Sequence, residues 1–155
     1  MMEHQRRICR LLHDEHLATL ELWGTVQHFL GTRREAEFTA LLPRCRAALA
    51  QEITRHFAFE EEALFPRLAE AGEADIVALL EEEHQAIRGA GDEFSALAAQ
   101  HAGGAVDPGL RALALELAER LFSHVQKEEM GLLPMLDDLL DDETDEALTV
   151  AYSSG

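Results

Sequence analysis

Residues of this chain recur 68 positions apart, and the recurring set includes polar as well as apolar positions. His16 returns as His84, His56 as His124, Glu60 as Glu128 and Pro66 as Pro134. Aligning residues 53–68 with 121–136 sets HFAFEEEALFPRL over HVQKEEMGLLPML, while Leu11, Leu12, Glu15 and His16 fall on Leu79, Leu80, Glu83 and His84. Repeated apolar residues alone would say that one structural unit occurs twice. A repeated HxxxE pair together with a repeated separate histidine says that the two units share a chemistry. That chemistry reads as metal binding.

Each long segment carries a stripe of residues at alternating three- and four-residue steps, the spacing of a helix that faces a core. The last stripe runs Leu110, Leu113, Leu117, Leu121, His124, Glu128, Leu132, Met135, Leu139, and the second runs Cys45, Leu49, Ile53, His56, Glu60, Leu64. The first and third read Cys9, Leu12, His16, Leu20, Trp23 and Val77, Leu80, His84, Ile87, Phe94. All six repeated His and Glu residues are therefore predicted to point inward.

Breakers divide the stripes at residues 31–34, 70–73 and 103–108, and Asp107 followed by Pro108 reads as a helix cap and first turn. Pro66 and Pro134 are expected to kink or end their helices. The predicted fold is all-α: helices near residues 3–33, 40–70, 73–101 and 108–140 in an up-down-up-down antiparallel four-helix bundle of two pseudo-symmetric hairpins.

A level check fits this arrangement, because residues on antiparallel helices meet only when equally far from their connection, at about 1.5 Å per residue. The midpoint of His84 and the His124/Glu128 pair falls within the 103–108 turn. That of His16 and the His56/Glu60 pair falls at residue 37.

With 155 residues, 47% of them hydrophobic, the chain reads as one domain over residues 1–155. Its core would span about 3–140. The formal charge of −17 argues against nucleic acid and against anionic membrane surfaces, since both would repel it. Much of that charge lies between Asp137 and Glu146, and the tail over 141–155 is expected to be a solvated, partly disordered end. The start, MMEHQRRICRLLHDEH, has no apolar stretch of signal-peptide length, and no run approaches the ~20 apolar residues of a membrane span. The expected location is cytoplasmic. Cys9 and Cys45, whose counterparts in the repeat are Val77 and Leu113, read as small buried hydrophobes.

Four imidazoles and two carboxylates at one level of an apolar core need a partner, because an unsatisfied buried polar group costs roughly 2–7 kcal/mol and a carboxylate more. The HxxxE spacing puts an imidazole and a carboxylate on one helix face. Six ligands exceed one tetrahedral zinc but suit two octahedral or five-coordinate ions, with two imidazoles each, Glu60 and Glu128 bridging, and a solvent-derived oxide or hydroxide between them. Each ion then keeps an open position. The mixture of imidazole and carboxylate favours iron, then manganese, then zinc.

The set His16, His56-xxx-Glu60, His84 and His124-xxx-Glu128, with a proline six residues beyond each glutamate, resembles the hemerythrin-like HHE cation-binding family over roughly residues 5–140. The resemblance implies that His16 and His56 bind one iron and His84 and His124 the other, with Glu60 and Glu128 as bridges. Oxygen-carrying hemerythrins have a further histidine four residues after the third-helix ligand. Here that position is Arg88. One iron thus has an imidazole fewer, which leans toward the broader group, whose members include oxygen or iron sensors and proteins of iron-centre repair.

The expected function is a non-haem di-iron protein that binds dioxygen or a related small ligand, such as nitric oxide or peroxide, at an open iron position. The alternative is an oxygen, iron or redox sensor, or a stress-response enzyme acting at the same metals on peroxide, nitric oxide or iron centres. No electron-transfer cofactor or substrate pocket is recognisable in the sequence, which ranks binding above catalysis, and nothing in it specifies a protein partner. His4, His13, His28 and His101 match Gly72, Glu81, Ala96 and Arg33, so they read as structural. His13 is singled out as a hydrogen-bonding neighbour of the site or a substitute ligand, or as one of a symmetric polar pair with Glu81. Arg88 reads either as a solvated side chain or as a guard over the open position.

Overall fold

All four stripes are helical in the computed structural model, which describes residues 4–154. Helix α1 spans Arg7–Gly31 and α3 spans Ala74–Gln100. Helix α2 runs through residues 35–70, and α4 through residues 108–139. A fifth helix, α5, covers Asp142–Ser154. Helix α1 packs against α2, α4 and α5, while α3 packs against α2 and α4. No strand occurs among the described residues.

The connections follow local chemistry. After α1, Arg33 takes a left-handed φ of 59° and turns the chain. Helix α2 then begins at Glu35, five residues before the expected start. Glu35 and Glu37 place negative charge in its first turn, against the positive end of the helix dipole. Asp107 caps α4 as expected, its carboxylate accepting from the Gly109 and Leu110 N–H groups with Pro108 in the first turn.

Helix α1 begins at Arg7 rather than near residue 3, which itself lies outside the described residues. Its N-terminus is capped from a distance. The Arg7 and Ile8 N–H groups donate to Asp145 of α5 at 2.9 and 3.0 Å, and those of Gln5 and Arg6 to Asp137 at 3.1 and 2.9 Å.

Neither Pro66 nor Pro134 ends its helix. Each follows a wider turn of i→i+5 hydrogen bonds, Glu60–Leu64 in α2 and Glu128–Leu132 in α4, and a further wide turn covers Glu52–Phe57. The Phe65 N–H donates to the Glu60 carbonyl and the Leu133 N–H to that of Glu128. A proline cannot close the turn behind it, and a π turn accommodates the break without stopping the helix. The wide turns also take up extra residues. Although the midpoint at residue 37 lies inside α2 rather than in a loop, the His16 and His56 rings still meet, 5.1 Å apart.

The acidic tail departs from expectation most. It is a helix because Asp145, Leu148 and Tyr152 share one face, and all three are buried against α1 and its neighbours. Apart from Asp145, its acidic residues lie on the other faces, and Asp142 pairs with Arg6 at 2.5 Å.

Two apolar clusters form the core. One gathers Trp23, Val26, Phe38, Leu49, Phe94, Leu117 and Leu121, and the other Ile8, Leu12, Leu64, Phe65, Leu80, Leu132, Leu148 and Tyr152, with further neighbours in each. On every long helix the repeated His and Glu residues separate the two. Trp23 stacks edge-on to Phe94, their ring centres 5.7 Å apart. Cys9 and Cys45 are buried and unpaired, one in each cluster, and burial first of all pushes both thiols up, that of Cys45 to about 12. No helix among the described residues is long and apolar enough to cross a membrane.

Candidate metal centre

The six repeated residues converge between the apolar clusters, none more than 1% exposed. Their ligating atoms form two groups that share both carboxylates: His16, His56, Glu60 and Glu128 in one, and Glu60, His84, His124 and Glu128 in the other. In each, the atoms lie within 4.8 Å of one another. Glu128 is central. One of its oxygens lies 2.8 Å from His16 Nε2 and 3.8 Å from His56 Nε2, the other 3.0 Å from His124 Nε2 and 3.9 Å from His84 Nε2. Glu60 reaches His56 Nε2 at 3.2 Å and His84 Nε2 at 3.1 Å. Phe57 stacks on the His84 ring, centre to centre 3.8 Å.

Every inward Nε2 is matched by an outward Nδ1 that donates to a second carboxylate. His16 donates to Glu129 at 2.6 Å, His56 to Glu15 at 3.0 Å, His84 to Glu61 at 2.7 Å and His124 to Glu83 at 2.8 Å. Such bonds fix the tautomer, leaving Nε2 free to ligate, and orient the ring. These four carboxylates were not identified from the sequence. The signal was present, since Glu15 and Glu83, and Glu61 and Glu129, keep the same 68-residue interval.

The outer carboxylates are themselves held. Arg88 grips Glu61 with two hydrogen bonds of 2.8 and 2.9 Å, so it is not a freely solvated side chain. Lys127 pairs with Glu83. The Tyr152 hydroxyl donates to Glu15 at 2.5 Å, with Arg55 3.8 Å away. Glu129 meets His13 at 2.7 Å and His4 at 3.2 Å. His13 is therefore a hydrogen-bonding neighbour of the site, and Glu81, at the matching place of the repeat, is exposed. His4, read as structural, joins the same carboxylate, while His28 is exposed on α1.

Charge balance explains the protonation of the cluster. Burial opposes a charged His16, but its hydrogen bonds to the Glu128 and Glu129 carboxylates outweigh it and raise the imidazole to about 9. For His84 burial is likewise overcome, by Glu128 and Glu60, to about 9, and for His124, by Glu128 and Glu83, to about 10. His56 is raised well above its ordinary value despite complete burial, chiefly by Glu52 and Glu60. Burial acts to raise Glu128, yet the imidazoles around it, His124 first, hold it well below the usual carboxylate range. The centre is thus built to keep positive charge between its carboxylates, in the form of protons when no metal is bound.

Four polar atoms at the centre nevertheless lack an aligned partner. Glu60 Oε1, His84 Nε2, His124 Nε2 and Glu128 Oε2 are buried without a hydrogen-bond partner. The pairs Glu60/His84 and Glu128/His124 are only 3.1 and 3.0 Å apart, but they are not aligned to bond. Orphaned buried polar atoms are costly, and two imidazoles with two carboxylates whose ligating atoms lie within 4.8 Å of one another fit a cation. The donor set suits iron, manganese or zinc.

The chain belongs to the hemerythrin HHE cation-binding family, whose model matches residues 7–136. A search of curated proteins finds no match.

Proposed function

We propose that the chain is a single hemerythrin-like domain whose four long helices run up-down-up-down as two hairpins related by the 68-residue repeat, in a cytoplasmic setting. His16, His56, Glu60, His84, His124 and Glu128 would hold two iron ions, Glu60 and Glu128 serving both. The observation that carries this reading is the pair of buried ligand groups that share Glu60 and Glu128, each with its ligating atoms within 4.8 Å of one another, the group with His84 and His124 also holding four buried atoms without a hydrogen-bond partner. When bound, the pair of irons supplies an open coordination position for dioxygen or a related small ligand such as nitric oxide or peroxide.

The protein's own residues supply the rest. Glu15, Glu61, Glu83 and Glu129 hold the four imidazoles by Nδ1, and the two apolar clusters exclude water from either side. Burial also favours neutral imidazoles once a cation replaces the protons.

Arg88 favours a second reading. It is committed to Glu61 and adds no imidazole, which favours sensing or stress chemistry over reversible carriage. Anaerobic loading with ferrous iron, followed by admission and removal of oxygen, separates the two while the visible spectrum and iron per chain are recorded. Two irons with a reversible band mean a carrier, and two irons with a band that decays irreversibly mean sensing or redox chemistry. Absence of stoichiometric iron overturns the di-iron reading.

A further inference from the structure

A second group of ligating atoms lies beside the repeated cluster. His4 Nε2, His13 Nδ1 and a Glu129 oxygen fall within 4.8 Å of one another. We propose that these three residues form an accessory site for one divalent transition-metal ion, distinct from the six repeated ligands. Two imidazoles and a carboxylate are a set that zinc and ferrous iron take in sites that keep further positions open.

Three features point to a ligand rather than to simple neutralisation of Glu129. First, the three comparable carboxylates are held by Arg88, by Lys127, and by the Tyr152 hydroxyl with Arg55 nearby. Glu129 alone is met by two imidazoles, the commonest protein ligands of such metals. Second, the His4 side chain is only 1% exposed and its Nδ1 has no hydrogen-bond partner, an unsatisfied buried polar atom. Asp137, which accepts from the Gln5 and Arg6 N–H groups, lies 3.5 Å from that nitrogen, farther than the outer carboxylates of the repeated cluster and close enough to take its N–H after a small turn of the ring. Third, the group borders a surface cavity of about 1280 Å³ lined by His4, Arg10, His13, Asp14, Thr149 and Ser153. Water can reach the remaining coordination positions from that cavity. Arg10 does not compete for Glu129, since its guanidinium donates to the carbonyls of His4 and Gln5.

The repeat gives this group no counterpart, because Gly72 and Glu81 stand where His4 and His13 would recur. The accessory ion would belong to one half of the molecule. It would share Glu129 with His16, one carboxylate oxygen facing each.

The test is cobalt binding by the untagged full chain and by a His4→Gln/His13→Gln variant, with cobalt per chain measured after equilibrium dialysis. Cobalt-edge anomalous diffraction from crystals of the unsubstituted chain locates the ions. One cobalt fewer in the variant, with an anomalous peak between His4, His13 and Glu129, is the expected result. Equal counts, or peaks confined to the repeated cluster, overturn the proposal. Should the double variant fail to fold, the anomalous map decides alone. Because the test reads a difference in count and a position, failure of the di-iron reading leaves its outcome unaffected.

Discussion

At the residue scale, the centre has two kinds of glutamate with different work. Glu128 approaches all four imidazoles and Glu60 two of them, so Glu128→Gln should lower metal content more than Glu60→Gln, as read by elemental analysis of purified protein. The outer carboxylates hold the imidazoles by Nδ1. Glu83→Ala should weaken metal affinity by about 10–100-fold while the helical circular-dichroism signal persists. Undiminished affinity would mean that His124 is held by packing alone. Arg88→Met is expected to cost under ~1 kcal/mol in denaturant unfolding, because the Arg88–Glu61 pair is about a quarter exposed, and to leave the metal count unchanged.

The residues legible in the sequence were those whose repetition had no apolar explanation. His16, His84 and the two HxxxE pairs stood out because buried polar residues seldom repeat by chance. Glu61 and Glu129 repeat too, but each sits in a run of acidic or mixed residues next to an inner ligand, where a solvated face is the ordinary reading. Their roles depend on contacts across helices, His16 to Glu129 and His84 to Glu61, which periodicity along one helix does not specify. Arg88 left two readings open for the same reason. Its partner is on another helix, 27 residues away.

At the scale of elements, α5 is the part that composition concealed. Asp141, Asp142, Glu143, Asp145 and Glu146 read as a solvated tail, yet the Asp145, Leu148, Tyr152 spacing is a short amphipathic face. Asp145 caps α1 from outside, which an inspection of α1's own sequence cannot reveal. Removing a cap costs about 1 kcal/mol, so Asp145→Ala should lower unfolding free energy by roughly that amount, measured in urea. No loss would mean that water replaces the carboxylate at the two N–H groups. The π turns escaped notice as well. Proline marked two of the three, but whether a proline ends a helix or is absorbed by a wider turn depends on the packing beyond it. Leu64, Phe65 and Leu68, like Leu132, Leu133 and Leu136, are buried on the far side and keep each helix going.

At the scale of the whole molecule, stability, metal and pH are linked through the imidazoles. The metal-free protein holds His16, His84 and His124 with pKa values of about 9, 9 and 10, against an ordinary value of 6.5. Groups raised on folding stabilise fully below the ordinary value, and that contribution is lost as pH rises through the folded values. The melting temperature of the metal-free protein should therefore fall between pH 7 and 10. The metal-bound protein, whose imidazoles carry no titrating proton, should show a flatter dependence. Metal uptake near pH 7 should release protons, detectable as a calorimetric heat that changes with the buffer's ionisation enthalpy. A pH-independent melting temperature without metal would contradict this account.

The terminal segments attend to only one side of the centre. His4, ahead of α1, and Tyr152 of α5 reach the carboxylates behind His16 and His56, whereas those behind His84 and His124 are met by Arg88 and Lys127, which, like His13 beside His4, belong to the long helices themselves. Chain ends fray before the middle of a packed helix does. If the proposed pair of ions is held here, the two positions should therefore have unequal lifetimes, the one between His16 and His56 emptying first under a chelator, so that a half-loaded species becomes an ordinary waypoint between the full and the empty protein.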